Sequence, residues 1–200
     1  MNFTKFTLVI FILCVNVVKS QDFVTDTTAL PYLQKAEFSL LSLGVNYEFP
    51  ISKALSLDSG LGFSSGAHLP KDEVRFQKNL LNPTFYLKTE LKYYYNRYVR
   101  VAKKLPTRNG EGSYFALQNK FLTQRLFDQK TPLSNMMLYE VHWGIQRNLY
   151  PNLLFNAHVG LGHASDFTTK GTSFYSAIGL KVSYVFSSKK ITRDSFERFW

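Results

Sequence analysis

The sequence predicts an all-β protein, an up-and-down antiparallel transmembrane β-barrel of eight strands. Three observations lead there. Apolar residues recur with period two in segment after segment, as in Leu55, Leu57, Leu61 and Phe63 against Ser56, Asp58, Gly60, Gly62 and Ser64; this is a strand with one greasy and one polar face. The segments run to about ten to fourteen residues, where globular strands cluster near five or six, and that length suits a tilted bilayer crossing. The connections are short at one end and longer at the other, as in outer-membrane barrels.

Seven strands read clearly. Leu41, Leu43, Val45, Tyr47 and Phe49 alternate with Ser42, Gly44, Asn46 and Glu48. A turn from Pro50 to Lys53 leads into the second, Leu55 to Ser65, and a long loop spans Gly66 to Asn82. The third sets Phe85, Leu87, Leu91, Tyr93 and Tyr95 against Lys88, Glu90 and Lys92. The fourth covers 114–123, where Asn119 among Phe115, Leu117 and Phe121 leaves its facing open. After a polar break at Asp128 to Pro132, Met137, Tyr139, Val141, Trp143 and Ile145 alternate with Glu140, His142, Gly144 and Gln146. Beyond a tight turn at Tyr150 to Asn152, Leu153, Phe155, Ala157, Val159 and Leu161 oppose Asn156, His158, Gly160 and Gly162. A loop follows from His163 to Gly171, then a last strand from Ser173 to Phe186. Bacterial barrels use even strand numbers. The eighth strand is assigned to Phe23 to Leu33; the alternatives are an N-terminal segment threading the lumen and a strand merged with another.

Residues 1–20 read as a secretory signal peptide: Lys5, an apolar run from Leu8 to Val18, and a cleavage site after Ser20. Cys14, the only cysteine, lies within it, so the mature chain has no thiol for disulfides, metal ligation or nucleophilic chemistry. The barrel is expected over 21–186 and a periplasmic tail over 187–200. The formal net charge of +10 is spread along the chain without a nucleic-acid motif, which favours a membrane surface over nucleic acid.

With the last strand ending in the periplasm, 51–53, 96–112 and 150–152 fall inside, and 66–82, 124–133 and 163–171 outside. The aromatics sort by end on the apolar parity. Tyr47, Phe49, Tyr93, Tyr95, Tyr184 and Phe186 make a periplasmic belt, and Phe63, Phe85 and Phe174 an external one. Bilayer interfaces select such belts. The leucines then face lipid, the small residues line a narrow interior, and closure pairs every strand edge.

Gly179-Leu-Lys-Val-Ser-Tyr-Val-Phe186 is similar to the terminal targeting signal of outer-membrane barrels. With the signal peptide, the strand pattern and the stretches "GVNYEFP", "KYYYNRYVRVAKK" and "HWGIQRNL", the chain resembles the small outer-membrane β-barrel proteins of Bacteroidota over nearly its whole mature length. The resemblance implies a fold and the outer membrane of a Gram-negative bacterium, but no activity. Such chains usually stop at the aromatic matched here by Phe186; this one continues to Phe199-Trp200.

Asp58, Lys88, Glu90, Lys92, Glu140 and Lys181 share the polar parity and read as a paired network filling the lumen, since unpaired burial costs several kcal/mol each and eight strands leave no aqueous channel. His142 and His158 fall on the same wall near Glu140. That donor set suits zinc, but the reading taken is hydrogen-bonded filling, with no metal and no cofactor. His163 and Ser165 have the outward parity, and Gly162 to Asp166 is similar to the His-x-Ser-Asn segment of lipid A deacylases. That resemblance implies an imidazole base and a serine nucleophile. Asp166 stands where that family has Asn, and Thr172 and Phe174 stand where an orienting carboxylate is needed. Around residues 97–104 a short basic helix is expected, capped by Asn96, with Tyr98, Val101 and Leu105 on one face and Arg97, Arg100, Lys103 and Lys104 around it. Thr192 to Trp200 has a capping box and aromatics at helical spacing.

The expected role is structural, adhesive or binding through external loops. The alternatives are a lipid A-modifying hydrolase using His163 and Ser165 and a soluble lipocalin-like ligand binder with its leucines inward. Expected partners are outer-membrane lipids, lipopolysaccharide and the barrel assembly machinery. No nucleic-acid partner is expected, and the chain is expected to be a monomer.

Overall fold

The computed structural model describes residues 29–69, 74–76, 83–125 and 134–189. The expected signal peptide and residues 190–200 lie outside them. Eight antiparallel strands form a closed barrel: β1 (Tyr32–Ser39), β2 (Ser42–Pro50), β3 (Leu55–Ser64), β4 (Thr84–Tyr93), β5 (Gly112–Arg125), β6 (Met136–Tyr150), β7 (Leu153–Asp166) and β8 (Thr172–Lys189). Each strand pairs with its sequence neighbours, and β1 closes on β8 from Tyr32↔Lys189 to Ser39↔Lys181. The expected up-and-down antiparallel barrel of eight strands is borne out.

The eighth strand is not where the sequence reading put it. It is β1, at Tyr32–Ser39, and it meets β2 through a two-residue turn at Leu40 and Leu41. Of the segment Phe23 to Leu33, residues 23–28 lie outside the described ones. Ala29 and Leu30 are buried. The stretch "FSLLSLGVNYEF" therefore joins the end of one strand to most of the next. Three further boundaries move. β7 continues through His163 to Asp166, so the loop begins only at Phe167. β8 runs three residues past Phe186, to Lys189. Asn119 faces outward between Phe115, Leu117 and Phe121, with its cross-strand partners Thr89 and Tyr139.

The faces sort as alternation requires. Leu43, Val45, Leu61, Leu87, Leu117, Val141, Val159, Leu161 and Ile178 are all exposed on the outer wall. Register links them sideways into apolar rows, such as Val45–Leu61–Leu87–Phe121–Met137 and Leu57–Leu91–Leu117–Val141–Leu161. The inward parity is buried and mostly polar: Lys35, Glu37, Glu48, Asp58, Lys88, Glu90, Lys92, Gln118, His142, Gln146, Asn156 and Lys181.

The inward glycines have a specific task. A Cβ at Gly144 would strike the Tyr114 ring, one at Gly162 the Tyr175 ring, one at Gly179 the His158 imidazole, and one at Gly44 the Tyr86 hydroxyl. Three of these are direct cross-strand pairs: Tyr114↔Gly144, Gly162↔Tyr175 and Gly179↔His158. Each glycine makes room for a ring to lie flat across the neighbouring strand, which is how a narrow barrel holds large side chains.

Both ends are built over. At the short-turn end, Leu30, Tyr94, Tyr114 and Ala116 form a buried cluster. Below it sits a short helix, α1 (Arg97–Ala102). Two details of its expected form are corrected. Asn96 makes no cap bond; its Oδ1 instead accepts the Ser113 backbone N–H at 2.9 Å. Arg97 is not solvated: it is buried, and its guanidinium donates to the carbonyls of Ala29 and Thr107, each at 2.9 Å. Burial lowers the Arg97 pKa; Tyr94 opposes the shift and like charge from Arg100 adds to it. Tyr98, Val99 and Leu105 stay exposed. At the loop end, Ala67 and Leu69 of the β3–β4 connection pack onto Tyr86, Leu122, Met136, Leu138 and Ala164. There Ala67–His68 pairs with Arg75–Phe76 as a miniature sheet.

Gly144→Val should cost about 1–3 kcal/mol, because its side chain occupies the volume of the Tyr114 ring. A lowered urea midpoint is expected; an unchanged one would mean that the ring does not lie across this position.

Candidate functional site

The site is the barrel interior. Register places Glu48, Asp58 and Glu90 side by side on β2, β3 and β4, an arrangement that is repulsive by itself. Ammonium groups from other rows hold it together. Lys35 Nζ lies 2.6 Å from Glu48 Oε2 and 2.7 Å from Asp58 Oδ2, and Lys92 Nζ lies 3.2 Å and 3.0 Å from the same two oxygens. Ser56 and Tyr94 hydroxyls donate to Glu48 Oε1 at 2.7 and 2.9 Å, and Asn46 Nδ2 donates to Asp58 Oδ1 at 2.8 Å. Lys88 pairs with Glu37 at 2.8 Å and with Glu90 at 3.6 Å. Lys181 reaches Glu90 Oε2 at 3.4 Å.

Asp58, Lys88, Glu90, Lys92, Glu140, His142, His158 and Lys181 thus all lie in the interior. The sequence reading omitted Lys35, Glu37, Glu48 and Lys120. Lys35 and Glu37 were hidden by the misplaced first strand. Glu48 and Lys120 sit on inward parity and were open to the same periodicity argument. Lys120 makes no ion pair among the described residues; its Nζ lies 4.3 Å from the centre of the Tyr86 ring, a cation–π contact.

On the opposite wall, Glu140 Oε2 accepts from Gln118 Nε2 at 2.7 Å and Glu140 Oε1 from the Tyr175 hydroxyl at 2.8 Å. His142 Nε2 is 3.1 Å from Glu90 Oε1, and its Nδ1 is 3.7 Å from Glu140 Oε2. The His142 and His158 rings lie against each other, tilted by 31°, with centroids 4.4 Å apart. The Nδ1 atoms of both are buried without a hydrogen-bond partner.

Above the network a cavity of about 540 Å³ is lined by Lys88, Lys120, Leu138, Glu140, His158 and Tyr175, among others. Its lining also takes in Leu40 and Leu41 of the β1–β2 turn and both faces of β8, Ser176, Ile178 and Leu180 as well as Ala177, Gly179 and Lys181. The reason is in the register. β1 ends opposite Lys181, so Thr172–Leu180 of β8 has no partner strand on that edge among the described residues. The cavity opens sideways through this seam.

His163 and Ser165 lie on the outer wall, as their parity requires. The His163 ring packs on Phe174 at 5.0 Å and near Tyr139 at 6.4 Å. Among the described residues it has neither a hydrogen bond to Ser165 nor a carboxylate within ion-pair distance. Asp166 is buried on the other face, where its Oδ1 accepts the backbone N–H groups of Thr168 and Thr169 at 2.7 and 3.0 Å and forms the turn. Tyr47, Tyr93, Tyr95, Tyr184 and Phe186 are exposed at the short-turn end, with Phe49 half-buried beside them. Phe63 and Phe174 are exposed toward the loop end, with Phe85 half-buried.

No family model, curated protein or solved structure matches this chain.

Asp58→Asn should cost about 3–5 kcal/mol by leaving the buried Lys35 and Lys92 ammoniums to share Glu48 alone, one positive charge in excess. Adding Lys92→Met should recover part of that loss. Equilibrium unfolding of the two variants checks both signs.

Proposed function

We propose that this chain spans the outer membrane of a Gram-negative bacterium as a monomeric barrel, and that its role is binding rather than conduction. One observation carries the reading: the side-chain distribution is inverted relative to a water-soluble barrel, with exposed Leu, Val and Ile rows outside and neutralised charge inside. Such a wall suits hydrocarbon, where strand pairing satisfies the backbone; among the described residues the exception is the Thr172–Leu180 edge of β8, toward the loop end. A soluble lipocalin-like barrel would carry its leucines inward. The signal-peptide pattern over 1–20 supports export, and the likeness to small Bacteroidota barrels supports the compartment. Outer-membrane lipids and lipopolysaccharide then contact the wall, and the barrel assembly machinery inserts it. The Glu48–Asp58–Glu90 network and the Tyr94–Tyr114 cluster fill the short-turn half of the interior, which argues against a through-channel.

Leu61→Arg should destabilise the folded barrel by about 2–4 kcal/mol or abolish assembly. The wild type should fractionate with outer membranes, migrate faster unheated than heated, and show no steady conductance in planar bilayers. A mature chain that is soluble and monodisperse without detergent would end this reading.

The side-opening cavity favours a definite ligand class within the binding role: an amphiphile with one anionic group, its chain against Leu41, Leu122 and Leu138 and its charge at Lys120. A fluorescent anionic fatty acid should bind the detergent-folded protein, and Lys120→Met should weaken it about tenfold. Equal binding by both proteins would remove Lys120 from the site.

A further inference from the structure

Glu140, His142 and His158 each offer a ligand atom, and those atoms lie within 4.8 Å of one another. From this cluster we infer that the barrel wall holds a divalent transition-metal site, zinc being the ion its donors suit best. Neutral imidazole nitrogens with a carboxylate oxygen are a standard three-ligand set for Zn²⁺.

Four features go beyond simple proximity. First, the His142 and His158 Nδ1 atoms are buried and lack hydrogen-bond partners, an unfavourable state if nothing compensates it. Second, the far nitrogen of His142 already faces a carboxylate, Glu90 Oε1 at 3.1 Å. That is the outer-shell contact that orients metal-bound histidines and raises their basicity. Third, Gln118 and Tyr175 each donate to one Glu140 oxygen, which fixes the carboxylate while leaving lone pairs for an ion. Fourth, Glu140 and His158 line the cavity, so a fourth ligand can reach the ion from that side.

The geometry is within reach of small adjustments. Donors around a tetrahedral zinc stand about 3.3–3.6 Å apart, given bonds of about 2.0–2.2 Å. His142 Nδ1 and Glu140 Oε2 are already at 3.7 Å. Gly179 leaves the His158 ring the space it needs, since a Cβ there would strike the ring.

The opposing effect is the charge of Lys181 and Lys88. Both ammoniums are drawn to Glu90, at 3.4 and 3.6 Å, and Lys88 also to Glu37. With Glu140 beside the histidines, the carboxylates offset most of that repulsion, so binding should be real but weaker than at a purely acidic site.

The test uses untagged mature protein folded in detergent and freed of metal with a chelator. Titration with Zn²⁺ should show one saturable site by calorimetry, and Co²⁺ should give the intense visible absorption of a tetrahedral complex. His158→Gln and Glu140→Gln should each weaken Zn²⁺ by tenfold or more. Glu90→Gln, which touches no metal, should weaken it about tenfold. His163→Gln, on the outer wall, should leave it unchanged. Heat-modified migration confirms that each variant is folded. Absence of saturable binding by folded wild type overturns the proposal. So does equal binding by a folded His142→Gln/His158→Gln double variant. Neither result bears on whether the outer wall meets lipid.

Discussion

Carboxylates and ammoniums packed at the centre of an eight-stranded barrel must neutralise one another, because they have no bulk water to do it for them. Everything else in this structure follows from that constraint. Glu48, Asp58 and Glu90 are placed shoulder to shoulder by register, and only the intrusion of Lys35, Lys92, Lys88 and Lys181 makes the arrangement tolerable. These amines come from β1, β4 and β8, so the network ties the closing strand pair to the middle of the sheet. It acts as a set of long-range contacts where an ordinary barrel would have an oily core. A buried ion pair is weak evidence of net stability; here its better-supported role is registry. A one-residue slip of any strand would send charges to the outer wall and leucines to the centre.

The glycines and rings are the second half of the same solution. Charged networks alone would leave gaps, and large aromatics alone would not fit. Tyr114, Tyr175 and His158 lie flat over Gly144, Gly162 and Gly179, so the interior is filled without forcing the strands apart. This placement turns the Tyr175 hydroxyl toward Glu140 and sets His158 against His142. The polar wall beside the cavity therefore owes its geometry to small residues on the adjacent strands.

Much of this was legible in the sequence, and the failures have physical causes. Leu61 beside Gly62 announces both the alternation and its polarity, and that pattern holds from β2 through β8. β1 was missed because its signal is inverted: Leu33 points in while Gln34 points out, so no hydropathy contrast marks it. A two-residue turn built from Leu40 and Leu41 carries none of the Gly, Asn or Pro that announce turns. Arg97 reads as a solvated cation because its partners are backbone carbonyls, that of Ala29 far away in sequence, which composition does not reveal. The glycine–ring pairings depend on register, and register emerges only when strands are assembled. The histidine pair was visible as a shared wall. The Glu90 contact that orients one of the rings was not, since it reaches past β5, from β4 to β6.

The central claim is the direction of the outer wall, and it is measured most directly with nitroxide spin labels on single cysteines replacing Leu87, Leu117 and Val141 in the chain from Gln21 onward, reconstituted into lipid vesicles. High collision rates with molecular oxygen and low rates with a water-soluble nickel chelate, reversed for a label on the exposed turn at Asn152, are the predicted result. Nickel access equal to oxygen access at the three wall positions would contradict it.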